Sequence, residues 1–86
     1  MLSIVNINNQ TDVSVYSVPQ GKRALVFVDI NPVVSPSSLT IKINNYVFYN
    51  GLISNNLSIK LVLTSNDNIT VSSTGQVNVF VHGLEL

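Results

Sequence analysis

No cysteine occurs among the 86 residues, so the chain has neither a disulfide nor a thiolate metal centre to stabilise it. His82 is the only imidazole. Long apolar runs are also missing. The longest, Ala24 to Val28, falls far short of the ~20 residues that a membrane helix needs. Charge is scarce as well: charged residues make up 9% of the chain, against about 25% in an ordinary soluble domain, and the net charge is +0. Lys22 and Arg23 are adjacent, while Lys42 and Lys60 stand apart. No basic cluster is available to neutralise phosphates, which argues against a nucleic-acid partner. The opening Met1-Leu2-Ser3-Ile4-Val5-Asn6 lacks a charged start and a long apolar stretch, so no signal peptide is expected.

These shortages point one way. A chain of this length forms a single domain, residues 1–86, and buries only roughly 60% of the surface that its unfolded form exposes. Without disulfides or metals, assembly with other subunits is the remaining source of stability. A surface poor in charge also tends to associate.

What is present is β-pattern. No 3.6-residue apolar period persists for three turns, Val, Ile and Thr are abundant, and alternation with period two recurs. Turn signals interrupt it at Pro19-Gln20-Gly21, Asn31-Pro32, Asn44-Asn45, Asn50-Gly51, Asn66-Asp67-Asn68 and Thr74-Gly75. Short strands so spaced predict an all-β fold, a small antiparallel β-sandwich or jelly-roll-like barrel. Residues 1–10 read either as a first strand or as an arm.

Face matching predicts the registers, because a one-residue slip reverses every side chain. A three-residue loop at Ser73-Thr74-Gly75, with Gly75 at positive φ, pairs Val71 with Val77 and Ile69 with Val79. A two-residue turn at Asn44-Asn45 pairs Ile43 with Tyr46 and Ile41 with Phe48. A loop from Pro19 to Lys22, with Gly21 at a favoured turn position, pairs Val15 with Val26 and Val13 with Val28. Leu57, Ile59, Leu61 and Leu63 alternate cleanly toward the inside. The expected core is thus Val13, Val15, Val26, Val28, Ile41, Ile43, Phe48, these four strand residues, Ile69, Val71, Val77, Val79 and Val81. The apolar remainder, namely Tyr16, Leu25, Phe27, Val47, Tyr49, Val62 and Phe80, faces the other way. Where several of these cluster they mark an interface.

Chemistry-bearing residues are few. There is no Gly-x-Ser-x-Gly elbow and no Gly-rich phosphate loop. His82 shares an outward face with Phe80 and Asn78, either as a proton-sensitive contact or as a plain surface residue. Asp12 and Asp29 fall at the open end of the expected first hairpin, where two carboxylates would form an acid pair or a weak calcium site, but the six to eight oxygens that calcium takes are not supplied. Asp67 suits a turn-stabilising role. Arg23 reads as a contact to a partner carboxylate or as a solvated hairpin end. Tyr46 and Tyr49 read as a sugar platform or as core and interface residues. Catalysis, a cofactor and a required metal are not expected.

Two segments carry a family resemblance. Val15-Tyr16-Ser17-Val18-Pro19-Gln20-Gly21-Lys22-Arg23-Ala24-Leu25-Val26 resembles the opening of small structural proteins of tailed bacteriophages. Asn66-Asp67-Asn68-Ile69-Thr70-Val71, followed by the segment from Val77 to Leu86, is similar to their ending, with Asn66 where a Gly is usual. The resemblance implies a β-sandwich virion component, a capsid decoration or cement subunit. Its partners would be the major capsid protein or tail proteins, and it would be a homo-oligomer, with a trimeric tail or fibre component as the alternative. It brings no catalytic residues. A small lectin-like receptor binder is the rival from another class.

Overall fold

A computed structural model describes residues 1–86, and no residue in it is helical. Six strands form: β1 (Ser3–Ser17), β2 (Ala24–Pro32), β3 (Ser37–Ile43), β4 (Tyr46–Ile53), β5 (Leu57–Leu63) and β6 (Asn68–Glu85). All pair antiparallel in one sheet, ordered β4-β3-β6-β2-β5, with β1 along the other edge of β6. The long strand β6 organises the fold. Along one edge it takes β2 at 77–85 and then β3 at 69–73, and along the other it takes β1 at 68–81. β3 therefore continues the path of β2, and β5 continues that of β4. The molecule is in effect four double-length ribbons whose sheet curls into a half-barrel.

The concave side holds the core. β2 turns Ala24, Val26, Val28 and Ile30 inward, and β6 turns Ile69, Val71, Val77, Val79 and Val81 inward. Each is β-branched or small, which suits a pleated surface packed on one side. Leu61 and Leu63 join them from β5, with Leu57 and Ile59 packed at the margin. Val15 and Ile41 lie there as expected, and Ile7, Tyr16, Val18, Leu39 and Ile53 complete the core, although face matching had not placed them there.

The curl has local causes. β1 is offset against β6 near Asn8/Gln10, Gln10/Val13 and Ser14/Tyr16, and Asn9 and Asp12 have φ of 51° and 52° there. Bulges of this kind bend a strand and raise its twist. All five non-glycine residues at positive φ are Asn or Asp, the types that enter the left-handed region at least cost.

Several expected registers are corrected. Residues 73–75 form no hairpin: β6 runs straight through them, Val71 does not oppose Val77, and Gly75 is not at positive φ. Gly75 is needed for another reason. The β2–β3 connection packs against β6 here, with Val33 and Val34 N–H groups donating to Gln76 O (2.9 and 3.2 Å), and a Cβ at Gly75 would collide with Ser37 Oγ. The turn at Pro19–Lys22 exists, with Lys22 N–H donating to Pro19 O (3.1 Å) and Gly21 at φ 81°, but β1 and β2 do not pair across it. β1 goes to β6, and β2 lies between β6 and β5. Of residues 1–10, those from Ser3 onward belong to strand β1 and do not form an arm.

The Asn44-Asn45 turn forms as expected, with φ of 52° and 69°, and Ile43 opposes Tyr46. Beyond it a bulge sets Ile41 opposite Tyr49 instead of Phe48. Phe48 is consequently exposed and Tyr49 packs against the core, the reverse of the expected facing. Asn44 also ties this turn to the next one. Its Nδ2 donates to Asp67 Oδ1 (2.7 Å), and its Oδ1 accepts from Asn68 N–H (2.9 Å).

Candidate functional site: an apolar outer face

On the β5-β2-β6 half of the sheet, side chains alternate to an outer face that can be read row by row from the register. Val62, Leu25 and Leu84 form the first row, and Lys60, Phe27 and His82 the second. Ser58, Asp29, Phe80 and Ile4 form the third, and Asn31, Asn78 and Asn6 the fourth. The interface candidates Leu25, Phe27, Val62 and Phe80 are thus brought together. Leu84 and Ile4 join them, although sequence reasoning had not counted either among the interface candidates. The signal was available in the alternation of β6, since Leu84 lies two residues beyond His82.

Val62, Leu84, Ile4 and Phe27 are 77, 62, 64 and 39% exposed. At about 100 Å² per aliphatic side chain and about 200 Å² for an aromatic one, they offer roughly 300 Å² of apolar surface. That is the size at which a monomer's largest patch is often functional.

A polar pair sits within this face. His82 Nε2 lies 2.6 Å from Asp29 Oδ2, and Ser58 Oγ donates to Asp29 Oδ1 at 2.5 Å. The hydroxyl of Ser58 first, and then His82, hold the Asp29 carboxyl below its ordinary value. The Phe27 ring stacks on the imidazole, with centroids 5.5 Å apart and planes 20° from parallel. His82 is therefore a partnered, oriented side chain and not an isolated surface residue.

Other candidates lie elsewhere. Tyr16, expected on this face, is buried instead, and its hydroxyl donates to Glu85. Burial, and then the Glu85 carboxylate, push its phenol up to about 12. Val47 is exposed on β4, away from this face. Arg23 pairs through its backbone with Leu86, and its side chain forms no ion pair. Tyr46 is exposed, while Tyr49 packs against the core.

Asp12 and Asp29 do not meet. Asp12 pairs with Lys42 at 3.2 Å, and Asp29 with His82. Asp67 accepts from Thr64 N–H (2.8 Å) and from Asn44, and these bonds lower its pKa. No group of three His, Asp or Glu side chains converges.

The outer face of the β1-β6-β3 half is different in kind. It holds a recess of about 130 Å³ lined only by hydroxyl and amide side chains, among them Gln10, Thr40, Ser72 and Thr74. Small-molecule pockets run larger, about 300–1,000 Å³, and are mostly apolar. The β5-β2-β6 half thus carries apolar side chains among polar ones, while this recess is polar throughout. Compared with known proteins, the chain matches no family model, no curated protein and no solved structure.

Proposed function

We propose that this protein is a structural subunit of a bacteriophage particle, a capsid decoration or cement component that acts by docking onto neighbouring proteins and not by catalysis. The observation that carries the docking role is the outer face of β5-β2-β6, where Val62, Leu25, Leu84 and Phe27 lie together, with Phe80 and Ile4 beyond the Asp29–His82 pair, on a chain with little charge to offset them. The placement in a phage particle rests on the resemblance of residues 15–26, 66–71 and 77–86 to small virion proteins. Burial of roughly 300 Å² is worth about 7 kcal/mol before association costs, which are of the same order. One such contact is weak, and the strength comes from many copies held together on an array.

The test uses particles produced without the chain, to which purified protein is added back. Bound copies are counted after washing. Wild-type protein should bind in a saturable number, with hundreds of copies indicating the capsid and tens or fewer the tail. The double variant Val62→Asp/Leu84→Asp, altered at two well-exposed, neighbouring positions of the face, should fold but fail to bind. Equal binding by that variant, or none by the wild type, defeats the proposal.

A further inference from the structure

The curled sheet has three free strand edges, and they are not protected alike. β5 carries Lys60 at its centre. β1 is interrupted by bulges, with Asn9 and Asp12 in left-handed backbone and Asp12 charged. Charges and bulges of this sort keep edges from pairing with other chains. β4 ends the sheet on the remaining side, and no charged residue occurs between Lys42 and Lys60. Its one bulge lies at Phe48, which leaves Tyr49–Ile53 regular.

Its outward backbone groups can be identified. Ser38 N–H points to β6, where it donates to Thr74 Oγ1 at 3.1 Å. Alternation turns the backbone of Leu39 toward β4, so its partner Gly51 faces β3. The N–H and C=O groups of Asn50 and Leu52 then face outward, without partners in the sheet. Gly51 between them has no side chain, and the Tyr49 hydroxyl covers the place of its missing Cβ at 3.4 Å. A glycine within a strand marks a place where another backbone can approach closely.

We propose that the free edge of β4 pairs antiparallel with the same edge of a second copy, about a two-fold axis through Gly51. In this register Asn50 of each copy lies opposite Leu52 of the other, and the two pairs exchange four backbone hydrogen bonds. No charge repels the identical strand. Tyr46, Val47, Phe48 and Leu52 are 80, 60, 50 and 70% exposed. Together they hold about 400 Å² of apolar side chain, half of the ~800 Å² per partner of a standard stable interface. The dimer is therefore weak in dilute solution and forms where copies are concentrated.

Sedimentation from about 10 μM to about 1 mM, the range of weak affinities, should show a concentration-dependent dimer. Hydrogen exchange over the same range should show Asn50 and Leu52 N–H groups passing from fast exchange to protection. Leu52→Lys, which gives β4 the kind of guard that Lys60 gives β5, should weaken the dimer at least about tenfold and leave the monomer's thermal melt unchanged. A chain that stays monomeric at 1 mM overturns the proposal. So does a dimer in which those two amides remain unprotected, or one that Leu52→Lys leaves intact. A dimer abolished by Val62→Asp/Leu84→Asp but kept by Leu52→Lys would use the β5-β2-β6 face instead, which overturns this edge and leaves the docking face standing.

Discussion

Replacing Gly83 with Ala should cost this domain a large part of its stability. Gly83 sits on β6 opposite Val26 with φ at 147°, a region that residues with a Cβ rarely enter. A Cβ there would overlap Leu25 O and lie 2.9 Å from Val26 Cα. Both neighbours are backbone, so no side-chain rotation relieves the contact. The backbone strain is of order 1–3 kcal/mol. Moving β2 away would weaken one or two ladder hydrogen bonds at about 0.5–1.5 kcal/mol each. The sum is about 2–6 kcal/mol, against a total of about 4–13 kcal/mol for a chain of this length. In a domain this small, 2 kcal/mol corresponds to a drop of roughly 8 °C or more in Tm. Urea melts with an unchanged m-value would give the figure directly. Gly51→Ala is the control. Its Cβ would meet only the Tyr49 hydroxyl, at 3.4 Å, and that ring can move, so the loss should stay under about 1 kcal/mol. A Gly83→Ala melt within about 0.5 kcal/mol of wild type would refute the reasoning. It would mean that β2 and β6 can part at Gly83 at little cost.

Two adjacent residues of β2 offer a second comparison. Val26→Asp places a carboxylate in the core and should prevent folding, whereas Phe27→Asp loses only a half-exposed ring and should cost about 1–2 kcal/mol in thermal melts. Equal damage from the two would show that the Phe27 side is a second core layer and not a docking face. Stability should also change at both ends of the pH scale. Asp29 and Asp67 have lowered pKa values in the fold, so their contributions are present above about pH 4, the unfolded carboxyl value, and are lost as pH falls through the folded values. Urea midpoints measured from pH 6 down to 2 should decline, and Asp67→Asn should decline less over that range; an unaltered acid slope in this variant contradicts the assignment. Tyr16, raised to about 12, contributes stability that is present below about pH 10 and lost as pH climbs toward 12. Tyr16→Phe should remove that alkaline loss, and an ultraviolet titration in which all three tyrosines ionise together near 10 would exclude it.

By itself the sequence determined what depends on near neighbours in the chain. Period-two alternation set the strand class and most inward positions, because successive side chains in a strand must point to opposite faces. Asn44-Asn45 made a tight turn, because Asn tolerates positive φ. Leu25, Phe27, Val62 and Phe80 were legible as apolar residues on the wrong face for the core. Partner choice was not legible, because antiparallel pairing is set by which strands lie side by side, and backbone hydrogen bonds are the same for any partner. The Val15–Val26 and Val71–Val77 pairings each matched faces, yet β1 and β2 both pair with β6, and residues 73–75 continue a strand. One unseen bulge exchanged the facing of Phe48 and Tyr49, since a single extra residue shifts the alternation of everything beyond it. Only the tertiary structure decided that Tyr16 is covered by Glu85, that Asp29 meets His82 across 53 residues, and that Leu84 and Ile4 complete the outer face. Each of these depends on distant segments closing around β6, where a glycine's value lies in the segment packed against it and not in its own turn.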